Sequence, residues 1–123
     1  MKKIKILLSS RPKLLSEVIR NLIEHQPDMV VIGEVLDPLQ LLNATRQTVV
    51  DVVIITPLGA NGEPKICHLL LSEFPLLIIV TQSVNADSVY LYQSGLPKQR
   101  FDQPAGQSIL AVIRESIAGN RNR

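Results

Sequence analysis

Short apolar runs alternate with amphipathic stretches along the whole chain. Runs rich in Val, Ile and Leu occur at residues 4–8, 30–35, 49–55 and 76–80. Because these runs are apolar on both faces, they predict parallel strands that are covered by helices on both sides. The alternation itself predicts an α/β sheet.

Five amphipathic segments predict helices between and after these strands. Their expected extents are residues 14–23, 37–47, 64–74, 86–94 and 109–117. The second begins at an N-cap and first-turn proline pair, Asp37-Pro38, and the fourth and fifth end at Gly95 and Gly119. A fifth strand is expected between Gly95 and Pro104, although Phe101 is its one convincing strand residue.

This order predicts a flavodoxin-like (βα)5 three-layer sandwich, with a parallel sheet in the order 2-1-3-4-5. We expect one domain over residues 1–119 and a frayed tail over 120–123. In such sheets ligands bind beyond the carboxyl ends of the strands, where the strand order reverses. The candidate site residues there are Ser9, Ser10, Thr56 and Thr81.

Composition narrows the class of protein. The 123 residues are 46% apolar and 20% charged, which is enough for a packed core, and the net charge of +2 does not indicate a nucleic-acid surface. A single cysteine, Cys67, fits a reducing compartment. Because no apolar run is long enough for a signal peptide or a membrane helix, we expect a soluble, cytoplasmic protein.

Several segments in tandem resemble the receiver domain of two-component response regulators. The first strand with Ser9-Ser10-Arg11-Pro12 is similar to the family's first strand and acidic turn, and Ser94-Gly95 is similar to the turn before its fifth strand. The other similar segments are residues 26–35, 51–56 and 74–81. The order and spacing of these segments carry the resemblance, which covers nearly the whole chain.

The resemblance implies a receiver without its phosphorylation chemistry. In active receivers, two acidic residues after the first strand hold Mg²⁺ together with the aspartate that accepts the phosphoryl group. Those places correspond to Ser9, Ser10 and Thr56, and hydroxyls do not replace the carboxylates that Mg²⁺ and an acyl phosphate require. The family's lysine corresponds to Asp102, with Lys98 as the alternative if the fifth strand is shifted.

The family's switch hydroxyl persists as Thr81, while the aromatic residue that pairs with it in many receivers corresponds to Gln99. The hydroxyls of Ser9, Ser10, Thr56 and Thr81 form a candidate neutral pocket. The favoured alternative is that they cap helices and bond to the backbone.

Two tyrosines form a candidate interaction face. Tyr90 and Tyr92 fall on the predicted fourth helix, which in receivers belongs to the face used for dimerisation and docking, and helical spacing places them on different sides. Cys67 and His68 are adjacent on a helix and do not form a nucleophile–base pair, so Cys67 is expected to be a packed residue. His25 is expected to interact with the terminal carbonyls of the first helix.

These observations favour a non-phosphorylatable pseudo-receiver that acts as a protein–protein interaction module in signal transduction or transcriptional control. Its expected partner is a regulator, a kinase or a transcription component, with a homodimer as a further arrangement. We expect no catalysis, cofactor, metal, membrane or direct nucleic-acid binding. The alternative is a small-ligand sensor that uses the strand-end hydroxyls, and an enzyme of unrelated chemistry is disfavoured because no convincing nucleophile stands at that edge.

Overall fold

The computed structural model describes residues 3–10, 13–35, 40–56, 65–82, 89–97, 99–101 and 106–121. Its strands are β1 (Ile4–Ser10), β2 (Met29–Glu34), β3 (Val52–Thr56), β4 (Ile78–Gln82), β5 (Val89–Gln93) and β6 (Gln99–Phe101). Its helices are α1 (Lys13–Glu24), α2 (Gln40–Gln47), α3 (Lys65–Glu73) and α4 (Gly106–Arg121). None of the helices in these ranges is long and apolar enough to cross a membrane.

The strands form one sheet in the order β2-β1-β3-β4-β5-β6. The pairs β2–β1, β1–β3 and β3–β4 are parallel. The predicted flavodoxin-like α/β fold and the sheet order 2-1-3-4-5 are therefore confirmed, with a parallel core. The strand predicted between Gly95 and Pro104 is β6 at the edge of the sheet, and β5 is an additional strand between it and β4.

The last two strands differ from the prediction. Both β4–β5 and β5–β6 are antiparallel, so the last part of the sheet does not follow the predicted parallel (βα)5 arrangement. The predicted helix over residues 86–94 is wrong, because Val89–Gln93 is a strand. Six residues separate Gln82 from Val89, fewer than the dozen or so that a parallel crossover requires. The segment Val89–Gln93 also alternates aliphatic and aromatic residues with a period of two over residues 89–92, which favours a strand.

Two apolar clusters hold the helices on the two faces of the sheet. One face, with Leu8, Ile54 and Val80, packs against α1 and α4, and the other, with Leu7, Val53 and Ile79, packs against α2 and α3. Burial on both faces is the reason why β1, β3 and β4 appear as apolar runs in the sequence, whereas β2 at the sheet edge is only partly buried.

Helix and strand ends differ from the prediction at three places. Helix α4 continues through Gly119 to Arg121. The runs predicted as strands from Val49 and Leu76 form strands only from Val52 and Ile78, and Val49 and Leu76 are exposed. Asp37, Pro38 and Pro64 lie outside the described residues.

Candidate functional site

Strand register brings the predicted site positions to one edge of the sheet. Ser10 lies opposite Thr56, and Ser9 lies opposite Ile55. Ile55 in turn lies opposite Thr81 on β4. This edge is at the carboxyl ends of β1 and β3, where the strand order reverses, as the sequence predicted.

An apolar residue separates two of the four hydroxyl residues. Ile55 is only 4% exposed and stands between Ser9 and Thr81. Two strand spacings amount to roughly 10 Å, so Ser9 and Thr81 do not meet directly. The side chains of Ser10 and Thr56, and all of Asp102 and Lys98, lie outside what the structure describes.

Thr81 has a buried hydroxyl without a described partner. The residue is 0% exposed, and its Oγ1 makes no hydrogen bond within the described ranges. Of the other buried hydroxyl residues in the described ranges, Thr45 and Ser116 each donate to a carbonyl one helical turn back, at 2.6 and 2.7 Å. An unsatisfied buried polar group costs free energy, so Thr81 is the unusual residue of the site.

The two tyrosines lie on one face of β5, not on different sides of a helix. Tyr92 is 6% exposed and belongs to the cluster beneath α2 and α3, and half-buried Tyr90 packs against the same cluster. Tyr90 is the cross-strand partner of Thr81 on one side and of Arg100 on the other. The Arg100 guanidinium carbon lies 6.0 Å from the centroid of the Tyr90 ring, within cation–π range.

Arg100 is a residue that the sequence analysis missed. A cross-sheet row now joins Ser9, Ile55, Thr81, Tyr90 and Arg100, each the register partner of the next. The available signal was the period-two alternation of residues 89–92, which indicates a strand. Pairing of that strand with β6 places Arg100 beside Tyr90. The row carries hydroxyl, phenol and guanidinium groups and no carboxylate.

Three smaller predictions have outcomes. Cys67 is 1% exposed and packs in the cluster beneath α2 and α3, as predicted, while His68 is exposed. His25 Nδ1 donates to the Asn21 carbonyl at 2.6 Å, which confirms its interaction with the end of α1. Among the described side chains, no group of three or more His, Cys, Asp or Glu residues is placed to hold a metal ion.

The carboxylates with shifted pKa values lie at the amino edge of the sheet, opposite the hydroxyls. Hydrogen bonds from Arg114 hold the pKa of Asp28 below its usual range. Hydrogen bonds from Arg46 likewise lower the pKa of Glu73. These acids therefore make exposed ion pairs between elements, away from the candidate site.

A comparison with solved structures agrees with this architecture. The chain is similar to a solved structure of the Salmonella typhimurium RcsB response regulator, described for its conformational dynamism for DNA interaction, with a TM-score of 0.58 and 21% sequence identity. The likeness covers 71% of this chain and 46% of that one, so this chain spans less than half the length of the regulator structure. No family model matches the chain, and no curated protein matches it significantly. The chain therefore has a receiver-like α/β fold that resembles a response regulator.

Proposed function

We propose that this chain is a pseudo-receiver, a regulatory domain that acts by binding another protein and does not accept a phosphoryl group. The observation that carries the proposal is the chemistry of the strand ends. Ser9, Ser10 and Thr56 occupy the positions where the receiver resemblance expects the metal-binding and phospho-accepting carboxylates.

The neighbouring strands do not supply a substitute acid. None of the residues of β1, β3 and β4 is acidic. Asp51 immediately precedes β3, but four residues of strand lie between it and Thr56, and the five residue steps amount to roughly 16 Å. One Asp51 carboxylate oxygen also accepts the Lys5 backbone N–H at 2.9 Å. Mg²⁺ and an acyl phosphate both need carboxylates at the other edge.

Intact-mass spectrometry tests the chemical half of the proposal. The chain is incubated with Mg²⁺ and acetyl phosphate beside a receiver that retains its acidic residues. We expect the control to gain the mass of one phosphoryl group and this chain to keep its mass. A stoichiometric phosphoryl adduct on this chain, mapped to Thr56 or another strand-end residue, would contradict the proposal.

A second candidate function, a small-ligand sensor, is favoured by the buried Thr81 hydroxyl. A ligand that hydrogen-bonds to Oγ1 would satisfy a group that the described residues leave unsatisfied. A thermal-shift screen of small polar compounds tests this candidate. A sensor requires a compound that raises the melting temperature of the wild type and not of Thr81→Val.

A further inference from the structure

An apolar groove lies at the amino ends of β3 and β4, at the opposite edge from the hydroxyls. Its volume is about 530 Å³, and its walls come from the segments before β3 and β4 and from α4. Val49, Phe74, Leu76 and Ile117 supply apolar surface to it. A groove of this size and character is within the range of binding sites.

Two large apolar side chains are left in solvent at this groove. Leu76 is 73% exposed and Val49 is 62% exposed. A single exposed apolar residue is ordinary, but a pair that lines one groove makes a contiguous apolar surface. Such a surface indicates a contact with another molecule.

Backbone hydrogen bonds hold the groove in shape. The Leu77 N–H donates to the Phe74 carbonyl at 3.0 Å, and the Ile78 N–H donates to the Asp51 carbonyl at 3.2 Å. The Asp51 side chain is tied in turn to the backbone of Lys5. Because both wall segments are fastened to the sheet, little ordering entropy is lost when a ligand binds.

The charged residues that line the groove are both acidic. They are Asp51 and Glu73, and no Lys or Arg is among the described lining residues. Arg46 donates to both Glu73 oxygens, at 2.5 and 2.7 Å, from outside the groove. The half-buried Asp51 carboxylate therefore gives the groove a negative potential that complements a cation.

We propose that this groove binds a segment of a partner protein that presents a large apolar side chain next to a lysine or arginine. The apolar side chain covers Leu76 and Val49, and the cation approaches the Asp51 carboxylate. This inference rests on the proposed function, because it names the surface and the partner chemistry of a protein-binding domain.

Selection from a displayed library of random peptides tests the proposal. We expect the full chain to enrich peptides in which a large apolar residue lies beside Lys or Arg. Leu76→Ser should weaken the binding of the selected peptides about tenfold or more, because the buried area of a leucine is lost. Leu69→Ser is the matched control, since Leu69 is 53% exposed on α3 but does not line the groove. It should bind as the wild type does.

Asp51→Asn tests the charge separately. The asparagine side-chain oxygen can still accept the Lys5 N–H, so the fold is retained while the charge is removed. We expect peptide affinity to fall about two- to fivefold at low salt and the salt dependence to weaken. Equal affinity and equal salt dependence in the two proteins would refute the role of Asp51.

The groove proposal is overturned if no peptide is enriched, if the enriched peptides lack basic residues, or if they bind Leu76→Ser as tightly as the wild type. It is also overturned if the chain forms a concentration-dependent dimer that Leu76→Ser abolishes, because a second copy is then the occupant. None of these results bears on phosphorylation. A phosphoryl adduct, in contrast, would refute the pseudo-receiver proposal and leave the groove measurement standing.

Discussion

Replacing Thr81 by valine should stabilise the protein. Thr81 is fully buried, and its cross-strand partners are Ile55 on β3 and Tyr90 on β5. Its Oγ1 has no hydrogen-bond partner within the described residues. A buried hydroxyl without a partner carries a desolvation penalty of about 1–3 kcal/mol. Valine has nearly the same shape and suits a strand, so Thr81→Val should raise the free energy of unfolding by about 1 kcal/mol or more.

Thr45→Val is the matched control. Thr45 is also buried, but its Oγ1 donates to the Leu41 carbonyl at 2.6 Å. Loss of that bond should lower the free energy of unfolding by up to about 1 kcal/mol. The two variants are compared with the wild type by urea denaturation with a common m-value. For a domain of this size, 1 kcal/mol corresponds to roughly 3–6 °C in melting temperature.

The result that would refute this reasoning is a loss of stability in Thr81→Val as large as that in Thr45→Val. It would mean that the Thr81 hydroxyl is hydrogen-bonded in solution, and the sensor candidate would lose its supporting observation. A gain in stability would confirm that the hydroxyl is a local cost to the fold.

Two further predictions concern backbone geometry and acid stability. Gly95→Ala should lower the free energy of unfolding by about 1 kcal/mol, because Gly95 has a φ of 79°. Gly119→Ala, on an exposed part of α4, should raise the free energy of unfolding by about 0.5 kcal/mol. Thermal denaturation measures both changes, and changes of the same sign would contradict this prediction. The Arg114–Asp28 ion pair lowers the folded-state pKa of Asp28, so the unfolded chain binds more protons than the folded chain in acid. The stabilisation by the pair is therefore present at neutral pH and is lost as the pH falls below about 4. Arg114→Gln should therefore lower the free energy of unfolding by at most about 1 kcal/mol at pH 7, since Arg114 is well exposed. The difference between the two proteins should shrink as the pH falls below about 4, and a difference that is constant from pH 7 to pH 3 would refute this.

The part of the fold built on the parallel strands β1 to β4 was predictable, because its strands and helices have clear hydrophobic patterns in the sequence. Strands β1, β3 and β4 are buried on both faces, and such strands are nearly continuous apolar runs in the sequence, while the edge strand β2 is only partly buried. The periodicity of α1 likewise located it within a residue or two of its observed bounds, Lys13–Glu24.

The antiparallel strands β5 and β6 were not predicted as a pair, because residues 86–94 were interpreted as an amphipathic helix that ends at Gly95. Residues 89–92 alternate with a period of two, and in the structure they belong to a strand. A segment this short fits both interpretations, and pairing with β4 decides between them. Tyr90 and Tyr92 consequently share a face, and Tyr92 is too deeply buried to contact a partner directly.

Features that depend on register or on element ends were outside the reach of the sequence. The position of Ile55 between Ser9 and Thr81 follows from pairing across three strands. The groove at the amino edge exists because β3 and β4 begin after Val49 and Leu76. Short apolar runs do not reveal where a strand starts, so these two residues were assigned to the strands.

An amide correlation spectrum of the isotopically labelled chain, titrated with Mg²⁺ and then with beryllium fluoride, a mimic of the phosphoryl group, tests whether the strand ends bind either ligand. A pseudo-receiver without strand-end carboxylates should bind neither ligand. The account predicts that the amide signals of Ser9, Ile55 and Thr81 keep their positions throughout the titration. Saturable shifts centred on these residues would contradict it, because they would show a working metal and phosphoryl site at the carboxyl edge of the sheet.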